Sequence, residues 1–131
     1  MKWASAVSEQ RTLDLALEEC TSSLSRELEE LAPDLLVMFV SADFADRYED
    51  IPGMIRDRLG PGLLFGCSAG GVIGGGREVE QRPGFSLTAA HLPNVELSPF
   101  RLTGDDLPDM DAAPDVWEDA LNVSAKGSPH F

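Results

Sequence analysis

At 131 residues the chain has the length of one small domain, and its 43% apolar content can supply a hydrophobic core. Lys and Arg together number 10 against 23 Asp and Glu, which gives a formal net charge of −13 at pH 7. This balance argues against a nucleic-acid partner, whose phosphates are bound largely by Lys and Arg, and it also disfavours an anionic membrane surface.

Two features of the sequence point to a reduced, cytoplasmic protein. Cys20 and Cys67 are too few for a disulfide framework and form no C-x-x-C pair. Residues 1–7 contain one lysine and lack the apolar segment of a signal peptide. No apolar run reaches the length of a membrane span, so membrane association is not expected.

The first thirty residues predict a strand followed by a long helix. Trp3, Ser5 and Val7 alternate with Lys2, Ala4 and Ala6, a pattern that suits a short first strand. From Thr12 to Leu31 apolar residues recur every three or four positions, which predicts an amphipathic helix of about five turns. Pro33 is expected to end this helix, and Cys20 lies on its apolar stripe as a core residue.

The next segment predicts two further strands. Residues 35–40 are uniformly apolar, which indicates a strand covered on both faces. Asp43 is the expected cap of a helix over residues 44–59, kinked or broken at Pro52 and the glycine after it. Residues 63–67 form the third predicted strand. The order β-α-β-α-β predicts parallel pairing with right-handed crossovers.

The second half changes character. Residues 85–91 and 95–102 predict an antiparallel strand pair, and a short helical turn is expected at 116–121 within an irregular acidic tail. The expected fold is therefore α/β, with α+β as the alternative: a mixed sheet, an antiparallel pair and a tail. The expected division is a domain over 1–103 and a tail over 104–131, in a chain that resembles a fragment.

The glycine-rich segment 66–76 contains the pattern G-x-S-x-G around Ser68, which in hydrolases holds a nucleophilic serine between a strand and a helix. The glycines that follow are poor helix formers, at about 1 kcal/mol each relative to Ala. A nucleophile also needs a histidine, and only His91, in a predicted strand, and His130, near the end, exist. A serine hydrolase is therefore the alternative and a non-enzymatic role the main hypothesis.

Other chemical interpretations are weaker. The segment lacks the lysine of a phosphate-binding P-loop. Cys67 is more simply a small buried side chain than a reactive thiol, and Trp3 is more simply a packing residue than a ligand platform. The tail acids lack the glycine and closing glutamate of a calcium loop. No cluster has metal-ligand spacing, so neither a metal nor another cofactor is expected.

Three stretches together resemble a known family: MKWASA at residues 1–6, GCSAGGVIGGGREVE at 66–80, and residues 87–100. The chain resembles the N-terminal part of FIST domains (F-box and intracellular signal transduction), in the form found in bacterial proteins. The resemblance implies a sensory module that binds a small ligand, with amino acids proposed, and partners that are signalling proteins or a ubiquitin ligase. It implies no catalytic residues. Family members continue past the point where this chain stops.

The ligand site is expected where parallel strands end, because ligands of open α/β sheets tend to lie beyond the carboxyl ends of the strands. Backbone N–H groups and serine hydroxyls there suit a carboxylate. A third hypothesis is a protein-interaction scaffold, in which the glycines only allow close strand packing. The candidate ligand-binding residues are Gly66, Cys67, Ser68, Ala69, Gly70, Gly71, Ser41 and Asp43.

Overall fold

The computed structural model describes residues 1–124, and the unit Met1–Asn94 carries nearly all of their regular structure. Its elements, in chain order, are β1 Lys2–Ser8, α1 Leu13–Glu27, β2 Leu35–Val40, a 3-10 helix Ala42–Arg47, α2 Ile51–Leu59, β3 Leu63–Ser68, β4 Gly71–Gly74, β5 Arg77–Glu80 and β6 Phe85–His91. The first three strands and the strand at residues 85–91 are confirmed.

A mixed sheet with the strand order β1-β6-β2-β3 forms the centre of this unit. β2 pairs with β3 in parallel, and β6 pairs antiparallel with both β1 and β2. β1, β2 and β3 therefore run in one direction, as predicted, but β1 does not pair with β2, because β6 lies between them. The mixed α and β content and the mixed sheet confirm the expected fold class.

The hydrophobic core lies on one face of this sheet, beneath α1 and α2. Alternate strand residues face the helices, because side chains of a strand point to opposite faces in turn. Leu36, Leu87 and Phe85 come from the strands, while Leu17 and Cys20 come from α1, and all five are buried. The prediction that Cys20 is a core residue is confirmed.

Three predictions are wrong for residues on the opposite face of the sheet, which α1 and α2 do not cover. β2 was expected to be covered on both faces, but Phe39 is 39% exposed on this side. Trp3 is 54% exposed instead of serving as a packing residue, and Phe65 of the edge strand is 56% exposed. Cys67 is exposed rather than buried. The apolar runs of β2 and β3 reflect one covered face and one open face.

Both helices differ from their predicted bounds for local reasons. α1 ends at Glu27, four residues early, where Glu29 and Glu30 take positive φ and donate N–H groups to carbonyls of the last turn. The second helical segment breaks between Arg47 and Ile51 instead of at Pro52. Pro52 is tolerated because it lies in the first turn of α2, where a backbone N–H would have no intrahelical acceptor, so the N–H that proline lacks is not missed.

Among residues 95–124, the described part of the second unit, there is one short helix, α3 Pro114–Leu121, which confirms the helical turn expected there. No strand forms at residues 95–102, so the expected partner strand is wrong. The separate antiparallel pair of the structure is β4 with β5. Residues 128–131, including His130, lie outside the described residues, so the hypotheses that involve them stay predictions.

Candidate functional site

The structure brings the two predicted ligand-binding segments to one edge of the sheet. Val40 pairs with Ser68 in the parallel ladder, and Ala69 donates its N–H to the carbonyl oxygen of Val40 at 2.9 Å. Ser41 to Asp43 therefore leave the sheet beside Ser68 and Ala69. This neighbourhood follows from the parallel pairing of β2 and β3, because the carboxyl ends of parallel strands meet at the same edge.

The hydroxyl of Ser41 makes structural hydrogen bonds within the fold. Its hydroxyl accepts the Gly84 N–H at 3.0 Å and donates to the Asp43 carboxylate at 2.8 Å. The side chain is buried, and Asp43, the expected helix cap, makes no capping hydrogen bond. These two side chains hold the β2 terminus against the chain that enters β6, so the only donor hydrogen of the Ser41 hydroxyl is already used within the fold.

The glycine segment forms a hairpin and not a strand-to-helix turn. Ser68 is the last residue of β3, and only Ala69 and Gly70 separate it from β4. Gly75 and Gly76, both with positive φ, make the two-residue turn between β4 and β5. A helix that would present a nucleophilic serine is not formed at this point of the chain.

His91 lies at the opposite end of the sheet from Ser68. Ser68 is level with Phe85, the first residue of β6, and His91 is its last. Six residues of strand separate the two levels by about 20 Å. His91 Nδ1 lies 3.1 Å from the Ala32 carbonyl oxygen and 3.5 Å from the Asp34 carboxylate. Within residues 1–124 the structure therefore forms no serine–histidine pair at the G-x-S-x-G pattern.

Two glycines of the segment are required by close packing. A Cβ on Gly66 would overlap the carbonyl oxygen of Met38 on β2, and a Cβ on Gly74 would lie 2.5 Å from the carbonyl oxygen of Ala6 on β1. The hairpin lies on the open face near β1, where Val72 and Val79 bury the side chain of Val7. Part of the glycine pattern therefore serves strand contacts and not a ligand.

A hollow of about 180 Å³ lies at the shared strand end. Its lining residues are Met38, Val40, Tyr48, Ile51, Cys67 and Ser68. Tyr48 donates its hydroxyl hydrogen to the Ser41 carbonyl oxygen at 3.1 Å, which fixes the ring at the wall. Of the eight predicted residues, Cys67 and Ser68 face this hollow.

A larger groove of about 470 Å³ runs between α2 and β3. Leu36 and Met38 of β2 and Leu64 of β3 form its floor, and Pro52, Ile55 and Arg56 of α2 form one wall. Its walls combine apolar side chains such as Ile55 and Leu64 with the loop 60–62, the backbone of Gly66 and the guanidinium-bearing side chain of Arg56. The volume falls within the range of small-molecule sites, about 300–1,000 Å³.

Arg56 was missed by the sequence analysis, and it differs from the arginines before and after it in the chain, Arg47 and Arg58. Arg47 bonds to Asp50 and approaches Asp14, and Arg58 lies 3.8 Å from Glu18. Arg56 makes no side-chain hydrogen bond or ion pair with any residue of the described range 1–124. Arg56 is exposed, and an unpaired guanidinium in this partly apolar groove favours a carboxylate or phosphate as its partner.

The two cysteines are expected to differ sharply in reactivity. Burial raises the pKa of Cys20 to about 12, so at pH 8 this thiol is protonated as well as enclosed. Cys67 is exposed beside the hollow. We expect iodoacetamide to add one label to the native protein and two after denaturation, measured by intact mass. Cys67→Ser should abolish native labelling and Cys20→Ser should leave it; two labels on the native protein would contradict the structure.

Comparison of the chain with protein-family models, curated proteins and solved structures finds no match. No described helix is long and apolar enough to cross a membrane. Over the same residues, no group of three or more His, Cys, Asp and Glu side chains is placed to hold a metal ion.

Proposed function

We propose that this chain is a cytoplasmic, non-enzymatic sensory domain of the FIST type that binds a small carboxylate-bearing ligand, such as an amino acid. The observation that carries the proposal is the unpaired Arg56 in the wall of the groove beside β3. A charge-assisted hydrogen bond from this guanidinium supplies the affinity, and the apolar wall accepts the remainder of the ligand.

The predicted glycine site supports the same proposal at the neighbouring strand end. Gly66 lines the groove, and Cys67 and Ser68 line the adjoining hollow. Met38 borders both cavities, so a ligand that extends past the groove reaches the hydroxyl of Ser68. Ser41 and Asp43 act in this proposal through the position of the β2 end and not through ligand contact.

The test is a titration of ¹⁵N-labelled protein with L-amino acids, compared between the wild type and Arg56→Gln. We expect the amide signals of residues 64–68 to shift, and Arg56→Gln to weaken binding about tenfold or more, since a hydrogen bond to a charged group contributes about 1.5–3 kcal/mol. Arg11→Gln removes the same charge from an exposed loop and should bind like the wild type. Equal affinities of all three proteins, or shifts confined elsewhere, would refute the site.

A scaffold that binds signalling or ubiquitin-ligase proteins is the second candidate, and the open sheet face favours it. Trp3, Phe39 and Phe65 are exposed on that face. Exposed aromatic residues are enriched where protein interfaces form. Double substitution of Trp3 and Phe39 by serine should abolish capture of such a partner and leave amino-acid binding in the groove unchanged, because neither residue lines the groove.

A further inference from the structure

β3 offers unused backbone hydrogen-bonding groups along one side. Leu63 donates its N–H to the Asp34 carbonyl and Ala69 donates to the Val40 carbonyl, so the odd-numbered residues of β3 face β2. Because successive residues of a strand alternate, the N–H and C=O groups of Leu64, Gly66 and Ser68 point to the free edge. β3 is the last strand of its sheet, so these groups have no strand partner.

The groove borders this free edge of β3. Arg56, the one charged residue of α2 that lines the groove, lies toward one end of it. Ile51, at the start of α2, lines the hollow with Ser68, whereas Arg56 lines the groove with the loop 60–62. α2 therefore runs opposite to β3, and Arg56 lies toward the first residues of the strand. A chain that adds antiparallel to β3 has its C-terminal end at the level of Arg56.

We infer that the groove takes an extended peptide with a free C-terminal carboxylate, which adds to β3 as an antiparallel strand. This inference rests on the proposed function and names its ligand class. The peptide backbone bonds to Leu64, Gly66 and Ser68, alternate apolar side chains enter the groove, and the terminal carboxylate pairs with Arg56. Strand addition of this kind derives affinity from main-chain bonds and specificity from pockets for alternate side chains.

Charge favours a peptide over a second copy of the chain as the occupant. The strand Leu63–Ser68 contains no charged residue, so β3 of a second copy would leave Arg56 unpaired. Each copy also carries a net charge of −13, which opposes the approach of two such surfaces. A short peptide supplies the carboxylate without that repulsion.

The test uses the peptide acetyl-Thr-Val-Thr-Val with a free C-terminus, titrated into the ¹⁵N-labelled full chain. We expect the amides of Leu64, Gly66 and Ser68 to shift and to gain protection from hydrogen exchange. The C-terminal amide form of the peptide should bind about tenfold more weakly to the wild type, and the two forms should bind equally to Arg56→Gln. Arg11→Gln should retain the tenfold difference.

Methylation of the peptide backbone gives the sharpest control. Because only every second amide of an added strand faces β3, N-methylation at one position should abolish binding and at the next position should leave it intact. Equal effects at both positions would overturn the inference. If free valine shifts the same amides as tightly as the peptide, the carboxylate site stands and strand addition fails. If neither the peptide nor valine binds, both proposals fail. If hydrogen-exchange protection of the β3 amides then rises with protein concentration, the occupant of the edge is a second copy of the chain.

Discussion

Gly66→Ala is expected to destabilise the protein by about 3 kcal/mol, because overpacking of a rigid contact forces the backbone to move. The added Cβ would overlap the carbonyl oxygen of Met38 and lie 2.8 Å from its carbonyl carbon. Both atoms belong to the backbone of β2, so no side-chain rotation relieves the contact. Urea denaturation followed by circular dichroism measures the change.

Gly70→Ala is the matched control for this prediction. An added Cβ at Gly70 has no neighbour within 4 Å, and its φ lies outside the positive region. Its free energy of unfolding should stay within about 0.5 kcal/mol of the wild type, as for ordinary surface substitutions. Similar midpoints for the two variants would contradict the close approach of β3 to β2.

Phe85→Ala is expected to have the largest effect on stability, about 4 kcal/mol, which is the range for removal of a buried phenylalanine ring. Phe85 begins β6 and is fully buried in the core beneath α1. Its carbonyl oxygen also accepts a weak hydrogen bond from the Cys20 thiol at 3.6 Å. Thermal and urea unfolding should both report the loss.

Phe65→Ala removes the same atoms from an exposed position. Because Phe65 is 56% exposed on the open face of the edge strand, we expect a change of less than about 1 kcal/mol. A large loss of stability in this variant would mean that the open face is covered, and it would also remove the basis for the scaffold candidate.

The sheet shows which features a local sequence pattern can predict and which it cannot. The bounds of β2 agree with the uniform run at residues 35–40, because strand formation there depends on local composition. The insertion of β6 between β1 and β2 involves residues more than forty positions apart in sequence. No local periodicity encodes that pairing, so the sequence left the order of the strands open.

In the candidate site, too, some features were visible in the sequence and others only in the folded structure. The glycine segment was visible as a pattern, but the hydroxyl of Ser41 proved to be a structural group bonded to Gly84 and Asp43. Arg56 resembles any other helical arginine in the sequence. Its distinction comes from the placement of α2 beside β3, which makes Arg56 a lining residue of the groove.

The sequence by itself determined the acidic charge, the first three strands, the apolar stripe of α1 and the neighbouring ends of β2 and β3, since each depends on composition or short-range order. The tertiary structure alone decided which sheet face stays open, which glycines touch backbone and which arginine lines the groove. The physical reason is that burial and pairing are properties of surfaces that meet only after the chain has folded.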